Sequence, residues 1–150
     1  MDRVRHILVP MDGSPLSKQA LHIALDEYPK ADTTVIHVID PTQPGYSYPI
    51  EFDTETEPLH GSEEWYERSE ELAEKLFTEV QEIASEYNAT IETEIRIGEP
   101  SREIIDYATH HEIDQIVIGS HGRSEAEQSL LGSVTETVVF RSPVPVLLIR

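Results

Sequence analysis

The sequence predicts an α/β fold: one domain built on a doubly wound, five-stranded parallel sheet with helices on both faces. Three observations carry that expectation. Apolar periodicity switches repeatedly between short β-like runs and longer helical ones, in the order βαβαβαβαβ. The strand-like runs are mostly continuous in Val, Ile and Leu, as strands covered on both faces are. The chain has 150 residues, the length of a single domain able to bury roughly 70% of its unfolded surface.

Each element has its own signal. His6-Ile7-Leu8-Val9-Pro10 reads as a short buried strand. Ser14-Pro15 then offers an N-cap hydroxyl and a first-turn proline. The helix that follows places Ala20, Leu21, Ala24, Leu25 and Tyr28 on one face. Thr33 to Ile39 is a second strand, rich in β-branched residues. Ser62 to Tyr87 reads as a long amphipathic helix. Its stripe is Trp65, Leu72, Leu76, Phe77, Val80, Ile83, Ala84 and Tyr87, and its Glu-rich opposite face is a solvated surface. Thr90 to Ile97 alternates Ile91, Thr93, Ile95 and Ile97 against Glu92, Glu94 and Arg96, the pattern of a half-exposed edge strand. A helix from about Pro100 turns Ile104, Ile105 and Ala108 inward. Asp114 to Ile118 is a buried strand, Ser133 to Arg141 a final helix, and Val144 to Ile149 a closing strand.

Two places break this rhythm. The segment of about 20 residues from Asp40 to Gly61 carries Pro41, Pro44, Pro49 and Pro58 with Tyr46, Tyr48 and Phe52. A loop of that length is either a flap over a site or flexible chain. The other is the C-terminus, whose apolar strand runs to the end of the sequence. At a sheet edge such a strand exposes backbone groups, and a two-fold partner offering the same strand would pair them.

Composition narrows the function. The chain has 29 acidic against 11 basic residues, three of them lysine (Lys18, Lys30 and Lys75), and a formal net charge of −18. That charge opposes binding to nucleic acid or anionic lipid. Acid excess with scarce lysine suits a halophilic host, since salt at about 1 M shortens the screening length to about 3 Å; an ordinary acidic protein is the alternative. There is no cysteine, so disulfides and thiolate metal sites are excluded. No apolar run approaches the roughly 20 residues of a membrane span. The apolar start before Asp12 is too short for a signal peptide. A cytoplasmic location is expected.

The chemistry concentrates after two strands. Gly119-Ser120-His121-Gly122 follows one strand, and nine residues later Gly132-Ser133 opens the helix Val134-Thr135-Glu136. Glycine lets backbone N–H groups approach an anion closely. The helix start adds orphan N–H donors and a positive dipole end. Alternatively the glycines serve only a tight turn, and Ser133 only begins a helix. A second glycine-bearing loop, Met11-Asp12-Gly13-Ser14, follows the first strand. Ligands of doubly wound sheets lie beyond strand carboxyl ends, so the two loops can line one crevice. Asp12 is a candidate acceptor for a ribose hydroxyl or a base; its alternative role is to cap the following helix.

These residues resemble the universal stress protein family. The resemblance rests on Gly119-x2-Gly122-x9-Gly132-Ser133 in its setting of Ile7-Leu8-Val9-Pro10-x-Asp12-Gly13-Ser14, His37-Val38-Ile39-Asp40, Gly98-x-Pro100, Asp114-x-Ile116-Val117-Ile118-Gly119 and Ser142-Pro143-Val144-Pro145-Val146. It spans nearly the whole chain, in order. It implies a Rossmann-like sheet in the order 3-2-1-4-5, homodimers paired through the last strand, and binding of ATP (or ADP or AMP) by a stress-response sensing or regulatory module. It places Pro10, Asp12 and Val38 around adenine and ribose. Gly119 and Gly122 would approach ribose and phosphates, and Gly132, Ser133 and Val134 would hold the phosphate tail. Arg123 is a further phosphate partner. Mg²⁺ or Mn²⁺ would be carried by phosphate oxygens and water.

One departure stands inside the loop. Family members commonly have glycine after the Arg-Ser/Thr pair, often with a further basic residue; this chain has Glu125 there and Glu127 nearby. Two carboxylates repel a triphosphate unless metal or salt intervenes. His110 and His111 near a helix end read as partners of the helix terminus, His37 as packed, and His121 as a candidate phosphate contact or base. There is no Walker lysine, no G-x-G-x-x-G after the first strand and no G-x-S-x-G elbow. A receiver domain is rejected, because Gly98 ends the third strand where an aspartate is required. The remaining alternatives are a slow ATPase or phosphotransferase and a ligand-free dimerisation module.

Overall fold

A computed structural model of the chain describes residues 4–42, 59, 61–121 and 132–150. Its elements are β1 (His6–Pro10), α1 (Pro15–Glu27), β2 (Asp32–Ile39), α2 (Glu63–Glu86), β3 (Ile91–Ile97), α3 (Pro100–His110), β4 (Gln115–Gly119), α4 (Ser133–Arg141) and β5 (Val146–Ile149). All four strand pairs are parallel, in the order β3-β2-β1-β4-β5. The predicted segment from Asp40 to Gly61, with its prolines Pro44, Pro49 and Pro58, lies largely outside the described residues.

Period-two alternation divides the core into two layers. Ile7, Val9, Val35 and Val117 face α1 and α2, where Ala20, Leu21, Leu76 and Val80 meet them. Leu8, Ile36, Val38, Ile116 and Ile118 face α3 and α4, against Ile104, Tyr107 and Val138. Serine caps begin both helices of the first layer. Ser14 Oγ accepts from Ser17 N at 3.2 Å, and Ser62 Oγ accepts from Trp65 N at 3.1 Å. Asp114 anchors the chain start, accepting from the N–H groups of Arg5 and His6 at 2.9 and 3.0 Å. These two backbone donors hold its carboxyl below the ordinary aspartate pKa.

β3 departs from clean alternation. Ile91 and Ile95 pack under α2, but Ile97 is 50% exposed and Thr93 lies open. Its polar face is in turn partly covered, because the Arg96 guanidinium lies 5.3 Å from the Tyr107 ring centroid. Burial pushes the Tyr107 phenol up, ahead of the smaller effects of its polar neighbours. His110 and His111 take the helix-terminal role expected of them, each placing Nδ1 on a carbonyl four residues back, Asp106 at 2.8 Å and Tyr107 at 3.1 Å.

Candidate functional site

Two segments leave the sheet side by side. In this strand order the chain winds outward in both directions from β1, so the carboxyl ends of β1 and β4 flank the switch point where open α/β sheets leave a crevice. One wall is Met11 to Ser14. The other is Gly119 to His121 together with the start of α4.

The first wall is tightly bonded. Met11 N–H still reaches the sheet, donating to the Ile36 carbonyl at 2.8 Å. Asp12 is only 4% exposed, and its Oδ1 accepts from Ser14 N at 2.9 Å. Gly13 bridges them with φ +85°, a backbone conformation costly for any side chain with a Cβ. Ser17 Oγ donates to the Ser14 carbonyl at 2.8 Å, fastening the loop to α1. Asp12 therefore performs the loop-capping role, just beyond the carboxyl end of β1.

The second wall is joined to the first by packing. A Cβ on Gly119 would lie 2.9 Å from Leu16 Cβ and 3.2 Å from the Leu16 backbone carbon. Glycine is required here by the close approach of α1 to β4. Ser120, 3% exposed, donates its N–H to the Ile149 carbonyl at 2.7 Å and accepts from Gly132 N at 2.7 Å. Thr135 Oγ1 donates to the Gly119 carbonyl at 2.7 Å. These bonds draw the start of α4 onto the end of β4 across the intervening loop. Gly132 is the N-cap, and α4 begins there with its positive dipole end and first-turn N–H groups directed back toward the end of β4. An anion is the natural complement of that end.

Of the predicted residues, Asp12 follows β1, Gly119 ends β4, and Gly132 and Ser133 open α4, whose start is bonded to the end of β4. Pro10 ends β1 and is buried. Val38 is fully buried in the layer under α3, and Val134 packs against that layer. Gly122 and Arg123 lie outside the described residues, as do Glu125 and Glu127. His121 has its Nδ1 3.1 Å from Ser120 Oγ. Missed in the sequence were Leu16, Ser120 and Thr135, whose roles depend on partners far along the chain. A groove of about 410 Å³ between α3 and α4, lined by Arg102, Ile105, Thr137 and Arg141 among others, contains none of the predicted residues. Among the described residues no group of three or more His, Asp or Glu side chains is placed to hold a metal ion.

Comparison with known proteins is consistent with this geometry. Residues 3–150 match the sequence profile of the universal stress protein family. The chain belongs to that family. It is 33% identical over 149 residues to a universal stress protein of Methanocaldococcus jannaschii, aligning 97% of this chain and 82% of that protein. Its fold matches the universal stress protein UspA of Lactobacillus plantarum with a TM-score of 0.77 at 29% identity, covering 100% of both chains. It also shares the fold of a universal stress protein from Archaeoglobus fulgidus, solved in complex with dAMP, at a TM-score of 0.67, 19% identity and 100% coverage of each chain. The sheet order 3-2-1-4-5 that the family resemblance implied is the order observed. No described helix is long and apolar enough to cross a membrane.

Proposed function

We infer that this family member binds an adenine nucleotide, ATP foremost with ADP and AMP as further occupants, at the crevice between the ends of β1 and β4. The observation that carries the reading is the convergence there of the Asp12 loop, Gly119 packed against α1, and the start of α4 bonded to the end of β4. Backbone donors and a positive helix end suit phosphate, and a buried carboxylate suits ribose hydroxyls. Solved family structures described as complexes with cAMP, dAMP and AMP support the choice of base. Mg²⁺ or Mn²⁺ would arrive on the phosphates, held mainly by phosphate oxygens and water. The module senses or regulates in a stress response. Any hydrolysis is expected to be slow, since no acid/base pair in the sequence is convincingly placed to act on the γ-phosphate.

The direct test is to denature the protein as isolated and identify any released nucleotide. Calorimetry with Mg²⁺-ATP at about 0.1 M and about 2 M KCl follows, with tighter binding expected at the higher salt because screening relieves the repulsion from Glu125 and Glu127. The halophilic assignment predicts greater folding stability in the same high salt; equal stability at both concentrations would remove it. No nucleotide in either binding assay would leave the ligand-free dimerisation module as the better reading. Multiple turnover abolished by His121→Ala would favour the enzyme.

Homodimerisation through β5 belongs to the same proposal. Pro145 and Ile149 give their carbonyls to Ile116 and Ser120, at 3.0 and 2.7 Å. By the two-residue repeat of a strand, the backbone groups of Val146 and Leu148 therefore face out of the sheet edge. Phe140 on α4, the helix that precedes β5 in the chain, is 78% exposed. Leu148→Pro deletes an outward N–H and leaves the β4 ladder intact. It is expected to shift the protein to monomer in sedimentation velocity with an unchanged far-ultraviolet spectrum; a dimer of wild-type affinity would exclude this edge. A cytoplasmic setting completes the proposal, resting on the cysteine-free, acid-rich composition. Fractionation of host cells would test it, and recovery with the membrane or outside the cell would reject it.

A further inference from the structure

We propose that His37 is a positioning residue for the nucleotide-contacting loop, setting the orientation of Asp12 through the carbonyl of Met11. The proposal rests on the nucleotide-binding reading for its ligand and on independent geometry for the positioning itself. His37 lies on β2 and is fully buried. Its neighbours Ile36 and Val38 face α3 and α4, so His37 faces the opposite layer, where Met11 is packed.

Met11 is the first residue beyond β1. Its N–H bonds the Ile36 carbonyl at 2.8 Å, continuing the sheet. Its carbonyl accepts from His37 Nδ1 at 2.7 Å. Because a carbonyl can only accept, Nδ1 carries the proton in this contact. Met11 is itself fully buried, and a carbonyl left without a donor at such a place is strongly disfavoured.

The mechanical consequence lies one atom further along. The carbonyl of Met11 and the N–H of Asp12 belong to one planar peptide unit. A donor that fixes the first fixes the direction of the second, and with it the point from which the Asp12 side chain departs. Downstream, Asp12 Oδ1 closes on Ser14 N at 2.9 Å and Ser14 caps α1. The loop is thereby held at both ends, by His37 where it leaves the sheet and by α1 where it enters the helix. A ligand meeting Asp12 then finds it already oriented, which raises affinity by sparing the cost of ordering.

The test uses two substitutions with the same number of side-chain heavy atoms. Asn places its amide nitrogen close to where Nδ1 of histidine lies, whereas Leu has the same branched shape and no donor. Asn is the smaller of the two and leaves the larger void, so a rescue by Asn cannot be credited to packing. His37→Leu is expected to speed amide hydrogen exchange at Asp12, Gly13 and Ser14 in the unliganded protein, and to weaken Mg²⁺-ATP binding, each by about five- to tenfold, the factor one buried hydrogen bond supplies. His37→Asn should restore most of both. Equal behaviour of the two variants, or wild-type exchange at these amides in His37→Leu, overturns the proposal. If neither variant folds, exchange in the wild type decides: fast exchange at Asp12 to Ser14 overturns it, while protection comparable to β1 supports it. Should the wild-type protein bind no nucleotide while exchange separates Leu from Asn, the positioning stands and the nucleotide-binding reading falls.

Discussion

Asp12→Ala is expected to weaken adenine-nucleotide binding by about ten- to a hundredfold, the range for removing a hydrogen bond to a charged group. Asp12 is the buried carboxylate of the crevice, and it already accepts the Ser14 N–H. That dual position allows two explanations for any loss, direct contact or a collapsed loop. Asp12→Asn separates them, because its amide oxygen can still accept from Ser14 while the charge is gone. A direct ribose contact predicts that Asn lowers affinity while thermal unfolding stays close to the wild type. If titration calorimetry gives an unchanged dissociation constant for a folded Asp12→Ala, the residue is a loop cap alone.

The second large effect is on stability. Gly119→Ala forces a Cβ to within 2.9 Å of Leu16 Cβ and 3.2 Å of its backbone carbon. Neither atom is the far end of a mobile side chain, so α1 must shift from β4. Overpacking of this kind costs about 1–3 kcal/mol, and at this chain length each kcal/mol lowers the melting temperature by about 2–4 °C. Gly61 provides the contrast. It has φ +82° and nothing within 4 Å of an added Cβ, so Gly61→Ala meets a backbone cost of about 1–2 kcal/mol and no clash. Denaturant unfolding of both variants checks the distinction. If Gly119→Ala matches the wild type, the close approach of α1 to β4 is not a constraint on this fold.

The fold was legible because its determinants are local. Ser14 and Ser62 announce their helices by capping chemistry that spans three residues, and β1, β2 and β4 announce themselves by apolar runs. The ends were less certain where no local signal exists. The last strand was expected from Val144 but begins at Val146, since the Ser142 hydroxyl bonds Val144 N at 3.1 Å and accepts it into the turn. In α3, Tyr107 is buried while Ile105 is only half-buried; the stacking of His111 on Tyr107, with ring centroids 3.8 Å apart, covers a residue the helical pattern did not select.

The candidate site was legible in its parts and less so in its joints. Asp12, Gly119, Gly132 and Ser133 were visible because glycine, aspartate and a helix start each carry recognisable chemistry after a strand. The bonds that assemble them were not visible. Leu16 against Gly119, Thr135 on the Gly119 carbonyl and His37 on the Met11 carbonyl link residues that nothing in a single sequence pairs. Each depends on where the sheet carries a backbone group, which strand periodicity locates only to a face.

Ser120 stands between the crevice and the free edge of the sheet. Its carbonyl receives Gly132 at the start of α4, and its N–H reaches Ile149, the last residue of β5. A force applied at either place meets the other through two hydrogen bonds in series. If the edge is where a second copy docks, ligand occupancy and assembly become linked equilibria with one residue, Ser120, as their shared element. Linkage then requires reciprocity: the factor by which nucleotide changes the dimer dissociation constant equals the factor by which dimerisation changes nucleotide affinity. Sedimentation with and without nucleotide would measure it, and a factor of one would show the two events to be independent.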